Sequence, residues 1–408
     1  MPAKPAAAPL FTGYQKAVIA MLAFLQFAVI IDFMLMAPLG ALIMPALNAT
    51  TAQFGTVVSA YAFAAGAAGF LAAGFADRFD RKKLLLFFYA GFVLGTAWCG
   101  MAGSFESLLA ARIFTGLFGG VIGSVVLAIA TDLFVPEQRG RVMGFIQTAF
   151  AASQILGIPA GIWLSTRWDW QVPFLTLALL GLAVGLLIAL VMRPVNAHLK
   201  MEQERSPLGH LVHTLVEPRH ALSFLAVLFL ATGGFMLMPF SSAFTVYNLG
   251  IDLEHLPIIY LATGVAMIFI GPLVGKFTDA VGKLRMFLVG TGIMMVMVTI
   301  YTNLSTSTVV MVALINVVMF LGIFSRMIPF QALMTQVPAP THRGAFNAVT
   351  ASLSQLAGGL AAVVAGHIVT EGADGRLQHY NVAGYVVVVT GVLASVLMWR
   401  IDRSVRRV

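Results

Sequence analysis

Charge is scarce in this chain of 408 residues. Only 10% of its residues are Asp, Glu, Lys or Arg, whereas soluble globular domains carry roughly 25%. With 60% hydrophobic residues as well, the chain cannot hide its apolar surface from water, and a soluble globular fold is excluded. Cysteine is almost absent, since Cys99 is the only one, which excludes an intrachain disulfide.

Motifs for nucleotide hydrolysis and catalysis are also missing. The chain has no Gly-x-x-x-x-Gly-Lys-Ser/Thr motif, so ATP is not expected to drive it directly. No nucleophile–base motif stands out, and His210, His213 and His220 have no cluster of cysteines or carboxylates around them. We therefore expect no enzyme activity, no cofactor and no metal site.

Long apolar runs dominate the chain, whose mean hydropathy is +0.93. A helix that crosses a bilayer needs about 20 mostly apolar residues. Twelve runs meet this length: 17–44, 52–76, 84–103, 107–131, 142–164, 171–192, 221–247, 257–275, 285–303, 308–334, 344–369 and 382–400. The expected fold is an all-α integral membrane protein with two six-helix bundles, 17–192 and 221–401. A tail (1–16), a linker (193–220) and a second tail (402–408) complete the chain.

The basic residues are distributed unequally between the two sets of loops. Of the 24 Lys and Arg residues, only Arg167 and Arg376 fall in one set, and Arg112 and Arg326 fall inside apolar runs. The positive-inside rule then predicts that both termini and the linker are cytoplasmic, in a cell inner or plasma membrane. The net charge of +8 reflects this topology and does not indicate nucleic-acid binding.

The two halves resemble each other at a nearly constant offset. Residues 32–36 (DFMLM) match residues 234–238 (GFMLM), and Asp77 matches Asp279, in both cases 202 positions later. A Pro-x-x-Arg-Gly motif at residue 136 recurs at residue 340. Such parallel repeats indicate a duplicated six-helix unit, with the substrate site between the halves near mid-membrane.

Residues 77–83 (DRFDRKK) resemble the loop between the second and third helices of the major facilitator superfamily, although Asp80 replaces a glycine that is usual there. Arg112-x-x-x-Gly116 is similar to the superfamily's fourth-helix arginine motif. Gly157, Pro159 and Gly161 look like its fifth-helix antiporter motif, in a Gly-x-Pro variant similar to sugar- and purine-efflux members, and the motifs together resemble the drug:proton antiporter branch. The resemblance implies a membrane transporter of twelve helices, and glycine and proline in the fifth helix let helices approach and bend.

Asp32 and Arg112 are the candidates for proton coupling. Asp32 falls about mid-membrane in the first run, where an ionisable group normally faces a cavity or a partner. Burial favours the protonated carboxyl, which suits a proton carrier. The resemblance implies that Arg112 works near Asp32. A structural alternative stays open for both residues, namely a permanent ion pair that holds the first and fourth helices together.

Arg326 is a further charge inside a predicted helix, without an obvious acidic partner in the second half. Because an unpaired guanidinium in lipid is costly, we expect it to face a water-filled cavity and to bind substrate. Backbone carbonyls or the amides of Gln331 and Gln355 could satisfy it instead. Two intramembrane arginines against one aspartate favour a neutral or anionic solute over a cationic one.

Amide side chains inside the runs complete the candidate substrate site, because they would be unsatisfied against lipid. They are Gln26, Gln147, Gln154, Asn316, Gln331, Asn347 and Gln355. A polar seam between the first, fifth, tenth and eleventh helices is predicted, although each amide alone is more often interhelical packing than a ligand.

The family resemblance also implies a cytoplasmic gate. In it Asp77 lies near a helix N-terminus of the other half, Arg81 bridges to Asp132, and Asp279 is the second-half copy of Asp77. A carboxylate at a helix N-terminus gains roughly 0.3–1 kcal/mol. Simple anchoring of a basic loop at the membrane is the alternative.

These observations favour a proton-coupled transporter that works by alternating access, as a monomer, and the family resemblance of the fifth helix implies that it is an efflux antiporter. Its expected partners are a small-molecule substrate, protons and the lipid bilayer, with no nucleic acid. A proton symporter or facilitative importer is the first alternative. A membrane sensor or scaffold without transport is the second, and it would not explain ionisable residues inside the helices.

Overall fold

The computed structural model describes residues 11–72, 74–200, 207–338 and 343–406. Within these ranges twelve helices are long and apolar enough to cross a membrane, which confirms the twelve spans predicted from the sequence. They are numbered α1 to α12 in chain order: Gly13–Leu35, Thr51–Ala72, Arg81–Met101, Phe105–Leu133, Glu137–Arg167, Val172–Val191, His220–Asn248, Leu253–Val281, Lys283–Thr302, Val309–Met334, Gly344–Ile368 and Tyr380–Val405.

Short elements connect these helices. They are helices Gly40–Ala46 and Pro207–Val216, 3₁₀ turns Ala76–Arg78 and Ala197–Lys200, and strands β1 (Thr370–Glu371) and β2 (Leu377–Gln378). Helix α8 itself begins with a 3₁₀ turn, Leu253–His255. The strands pair antiparallel, and the side chain of Asn248 joins this hairpin to α7 through two hydrogen bonds with the backbone of Leu377, of 2.8 and 2.9 Å.

The first helix of each half is interrupted at corresponding places. Helix α1 ends at Leu35, and a turn that contains Pro38 separates it from the short helix Gly40–Ala46, so the predicted single run 17–44 is wrong in this detail. In α7 the regular helix ends at Phe235, and a 3₁₀ turn with Pro239 follows. Proline lacks the N–H that an α-helix needs in its interior, which explains both breaks.

Helix α5 is interrupted at its middle. A regular helix runs from Pro136 to Ala152, a π-turn covers Ser153–Gly157, and the helix continues to Arg167. Pro159 lies just beyond the π-turn and cannot donate to the carbonyl four residues before it, so the local hydrogen bonds rearrange. The helix also begins earlier than the predicted run 142–164.

The even number of spans defines two ends of the bundle. The start of α1, the segment between α6 and α7, and the end of α12 lie at one end, called here the terminus end. The hairpin lies at the opposite or far end. Helix Pro207–Val216 lies in the segment between the halves, which the sequence predicted only as a polar linker.

The two halves are in contact at the far end. Ser242 on α7 donates a hydrogen bond of 2.8 Å to the carbonyl of Ala37, which follows α1. Thr51, the first residue of α2, donates one of 2.7 Å to the carbonyl of Val369 after α11. Buried inter-half bonds of this kind close the far end in this conformation.

Toward the terminus end, the two helix pairs that join the halves differ in how far their contact extends. Helix α2 packs on α11 from Gly55 to Gly69, where a Cβ on Gly69 would lie 3.8 Å from the hydroxyl of Ser352. In contrast, α5 packs on α8 from Ser153 onward, and its earlier part makes few contacts with α8. One pair of helices therefore stays together over its length while the other separates.

Candidate functional site

Asp32 lies in the last turn of α1 and is completely buried. Its two carboxylate oxygens have different donors: the hydroxyl of Thr96 on α3 donates to Oδ1 at 2.9 Å, and Nη1 of Arg112 on α4 donates to Oδ2 at 2.7 Å. Nη1 also lies 3.3 Å from the backbone carbonyl of Asp32. The three residues thus form a compensated ion pair at the meeting point of three helices.

Arg112 is completely buried as well and has a second neighbour. Its guanidinium lies 4.4 Å from the ring centroid of Tyr61 on α2, and the thiol of Cys99 lies close by, 3.8 Å from the hydroxyl of Thr115. Nε and Nη2 of Arg112 have no hydrogen-bond partner among the described residues. A buried guanidinium with two unpaired nitrogens is costly, so the aspartate is its main compensation.

Glycine residues allow these helices to come close enough for the pair to form. A Cβ on Gly116, one turn after Arg112, would lie 2.5 Å from the carbonyl oxygen of Tyr61. A Cβ on Gly95, beside Thr96, would lie 2.4 Å from the hydroxyl of Thr115. Neither helix could keep its place if a side chain were added here.

The fifth-helix motif packs against the same part of α1. A Cβ on Gly157 would lie 2.6 Å from Cδ1 of Ile31, and one on Gly161 would lie 2.5 Å from Cδ1 of Leu35. Pro159 lies between them, after the π-turn. Helix α5 therefore approaches the side chains of Ile31 and Leu35, which come one residue before and three residues after Asp32 in α1.

An aromatic contact connects the pair to the second half. Phe33, next to Asp32, lies 5.2 Å from the ring of Tyr61 and 5.7 Å from the ring of Phe235 on α7. Phe235 in turn lies where a Cβ on Gly358 of α11 would collide with it, at 2.7 Å. A change around Arg112 can thus reach the interface between the halves through two aromatic rings.

Arg326 is buried inside the second half, with 3% of its surface exposed. The expectation that it faces a water-filled cavity is therefore wrong for this conformation. Its Nη1 donates to the sulfur of Met294 on α9, and its guanidinium carbon lies 5.7 Å from the ring of Phe287. Neither Gln331 nor Gln355 bonds to it, and its Nε and Nη2 have no partner among the described residues.

The seven candidate amides do not form a connected seam. Gln154 is buried, and its backbone packs on Gly264 of α8; Gln26 lies beside Gly123 of α4. No hydrogen bond in the described part of the chain joins any two of the seven. The remaining candidates are half-buried or exposed: Gln147, Asn316, Gln331, Asn347 and Gln355.

At the terminus end, a cluster forms around Asp132 on α4. Nε of Arg81 donates to its Oδ2 at 3.2 Å, and Nδ1 of His198, from the segment after α6, lies 3.5 Å from the same oxygen. These three residues belong to the first half and its linker. The side chain of Asp77 lies outside the part of the structure that is described. Asp279 is exposed and has no ion pair with another described side chain.

A family model described as the Major Facilitator Superfamily matches residues 22–362 and, separately, residues 224–407. The chain belongs to the major facilitator superfamily. It is therefore a multi-pass membrane transporter with the twelve-helix fold of that family, and the buried ion pair is not the active site of an enzyme.

Curated relatives in the superfamily include one of nearly the same length. The uncharacterized MFS-type transporter YceJ of Bacillus subtilis is 26% identical over 391 residues, which cover 94% of this chain and 95% of YceJ. The multidrug resistance protein fnx1 of Schizosaccharomyces pombe is 32% identical over 113 residues, which cover 28% of this chain and 21% of fnx1.

Solved structures of superfamily members share the fold. A bacterial homolog of the human lysosomal transporter Spinster, in an inward-facing and unoccupied conformation, has a TM-score of 0.75 at 18% identity and covers 97% of this chain and 98% of its own. A point mutant of the nucleoside transporter NupG has a TM-score of 0.79 at 14% identity, with 95% and 99% covered. Identities this low show the common fold alone.

Several residues around the Asp32–Arg112 pair could not be singled out from the sequence. Thr96, Tyr61 and Cys99 are ordinary residues within apolar runs, and threonine in a helix usually bonds to its own backbone. Their separation from Asp32 along the chain does not indicate that they contact it, because they lie on different helices. The one usable signal was the glycine beside Thr96, which allows the close helix contact.

Proposed function

We propose that this superfamily member is a proton-coupled efflux antiporter, which exchanges a small neutral or anionic organic solute for protons by alternating access. The buried ion pair of Asp32 and Arg112 carries the proposal. A carboxyl group in this position can hold one proton, and its protonation removes the charge that compensates Arg112. Proton binding and the ion pair therefore exclude each other.

The position of Asp32 supports coupling between its protonation and the far end of the molecule. It lies in the last turn before the break that follows α1, and Ala37 within that break accepts the inter-half hydrogen bond from Ser242. Phe33, the residue after Asp32, contacts the ring of Phe235 in the second half. A rearrangement around a protonated Asp32 would thus act on the contacts that close the far end.

The arrangement of the charged loops supports the proposed orientation. The terminus end carries most of the Lys and Arg residues, so we place both termini in the cytoplasm of a cell whose inner membrane holds the protein. Bundles 17–192 and 221–401 would then rock as two units around the site. Monomeric function is part of this proposal, because each chain contains both halves.

The Arg81–Asp132 pair, with Asp77 and Asp279, is proposed as a cytoplasmic gate. His198, in the segment that connects the halves, lies 3.5 Å from Asp132. Breakage of the Arg81–Asp132 pair would therefore change the contacts of this segment. The amides of the two halves are proposed as substrate contacts, with Gln154 at the α5–α8 contact as the most buried of them.

The experiment compares Asp32→Asn with the wild type in membrane vesicles. Solutes are first selected because they raise the thermal stability of the detergent-solubilised protein, as any ligand of the folded state does. Flux of a selected solute is then measured in inverted and right-side-out vesicles, with and without a pH gradient. We expect Asp32→Asn to lose uphill accumulation while it keeps exchange down a solute gradient.

Asp252→Asn is the matched control, because it removes a carboxylate from an exposed loop at the far end. It should retain wild-type flux. Full uphill, pH-dependent transport by Asp32→Asn would remove Asp32 from the mechanism, and inward flux of solute with protons would replace the antiporter by a symporter.

A further inference from the structure

The unsatisfied edge of Arg326 has a defined shape. Nη1 is turned to the sulfur of Met294, a weak acceptor, whereas Nε and Nη2 have no partner among the described residues. In a guanidinium, Nε and Nη2 present two nearly parallel N–H bonds along one edge. This fork matches the two oxygens of a carboxylate, which accept such a pair of bonds together.

The two halves differ in how they compensate their buried arginine. Arg112 reaches from the fourth helix of the first half to Asp32 of that half's first helix. Arg326 likewise reaches from the fourth helix of the second half toward the first, but the repeat places Gly234 where Asp32 stands. The second half thus holds a buried cation and lacks the internal anion that the first half supplies.

Two consecutive glycines of α7 lie next to the Nη1 end of Arg326. A Cβ on Gly233 would lie 3.8 Å from Nη1 of Arg326 and 3.7 Å from the hydroxyl of Thr390, so a small group can stand there without collision. Gly234 is exposed, and a Cβ on it would meet nothing within 4 Å. This stretch of α7 therefore places no side chain of its own against the Nη1 end of the guanidinium.

We infer that Arg326 is the binding site for a carboxylate group of the transported solute, which docks on its unpaired Nε and Nη2 edge. This inference rests on the proposed transport function and narrows its substrate class from neutral or anionic solutes to organic acids. The bound carboxylate supplies the charge that Asp32 supplies in the first half. It enters when the halves move, because Arg326 is buried in the present conformation.

The first test builds the missing anion into the chain. Gly233→Asp places a carboxyl group next to Arg326, and Gly233→Asn places an uncharged side chain of the same size there. We expect the midpoint of thermal unfolding of Gly233→Asp to exceed that of Gly233→Asn by about 2–4 °C, which corresponds to a moderately stabilising ion pair. In the Arg326→Gln background this difference should vanish.

The second test uses a defined set of probes on the detergent-solubilised protein. Acetate, hexanoate and benzoate are compared with their neutral amides, and sodium chloride of equal ionic strength is the reference. At least one of the acids should raise the unfolding midpoint of the wild type by about 2–4 °C, as expected for a ligand of the folded state. The same acid should have no effect on Arg326→Gln or on Gly233→Asp.

Three outcomes would overturn the inference. They are acids that never stabilise beyond chloride or the amides, acids that stabilise the wild type and Arg326→Gln equally, and a Gly233→Asp variant no more stable than Gly233→Asn. None of these measurements uses a proton gradient. Their failure is therefore distinguishable from failure of the antiport proposal, which depends on Asp32 and on flux in vesicles.

Discussion

At the scale of single residues, Asp32 stands under two opposing influences. Complete burial favours its protonated form, whereas Arg112 and the hydroxyl of Thr96 favour the carboxylate. Because burial and the two donors have large and opposite effects on the free energy of protonation, a modest change in either effect alters the protonation equilibrium. The environment of Asp32 should therefore be sensitive to changes that leave the aspartate itself in place.

Thr96→Val provides a test of this balance, because it removes the donor to Asp32 Oδ1 and keeps the side-chain shape. A hydrogen bond to a charged group contributes about 1.5–3 kcal/mol. Since its loss destabilises only the carboxylate form, protonation should occur at higher pH. We expect the pH of half-maximal transport to rise by about one unit, which corresponds to 1.36 kcal/mol, as measured by solute flux across a pH series.

Thr115→Val is the matched control for Thr96→Val. The hydroxyl of Thr115 donates to the carbonyl of Ala111 in its own helix and lies near Cys99, but it does not contact Asp32. Its removal should leave the pH profile unchanged. An unchanged profile for Thr96→Val would mean that Asp32 is not the group whose protonation limits transport.

The sequence allowed some residues of the site to be predicted and others not. Asp32 and Arg112 could be named because an ionisable residue in an apolar run must have a partner or a cavity. Arg326 could be named for the same reason, but its burial among Met294 and Phe287 could not be foreseen. Which face of a helix points to which neighbour depends on the packing of the bundle.

At the scale of helices, length and hydropathy were sufficient to predict the twelve spans, while the interruptions were missed. The run 17–44 was longer than a single span requires, and Pro38 inside it was the available signal for the break. The π-turn Ser153–Gly157 has a weaker signal, because a proline at residue 159 is also compatible with a simple kink.

The contact between α2 and α11 depends on glycine. A Cβ on Gly55 would lie 2.6 Å from the carbonyl oxygen of Ala362 and 3.2 Å from Cα of Gly366, and backbone atoms cannot move aside as a flexible side chain can. We expect Gly55→Ala to force the helices apart and to destabilise the protein by about 1–3 kcal/mol, the usual cost of overpacking. The measurement is the midpoint of thermal unfolding.

Gly292→Ala in α9 is the control for this change, because a Cβ there meets nothing within 4 Å. It should leave the midpoint unchanged or raise it, since alanine favours a helix over glycine by about 1 kcal/mol. Equal behaviour of the two variants would show that α2 and α11 are not in close contact in the membrane.

At the scale of the whole molecule, the internal repeat predicted the symmetry of the two halves but not the asymmetry of their contacts. Helices α2 and α11 remain together along their length, whereas α5 separates from α8 before its π-turn. The sequences of paired helices do not encode which conformation of a transporter is adopted. The separation of α5 from α8 is confined to the terminus end, whereas inter-half hydrogen bonds hold the far end closed, and these are the contacts that must break for that end to open.

A reversible cross-link across the far end tests whether these contacts break during transport. A Cβ on Gly366 of α11 would lie 2.9 Å from the carbonyl oxygen of Thr51 and 3.1 Å from Cα of Ala52 on α2, so cysteines at both positions come within disulfide range once the two backbones shift apart slightly, and flux of the reduced double variant is the reference. In a Cys99→Ser background, we expect oxidation of the Ala52→Cys/Gly366→Cys pair to abolish solute flux and reduction to restore it.

The control pair, Gly100→Cys with Leu175→Cys, joins α3 and α6 within one half, where a Cβ on Gly100 would lie 3.0 Å from the backbone nitrogen of Leu175. Because the halves are expected to rock as units, this second cross-link should leave flux intact. Undiminished flux through the oxidised inter-half pair would contradict alternating access by separation of α2 from α11.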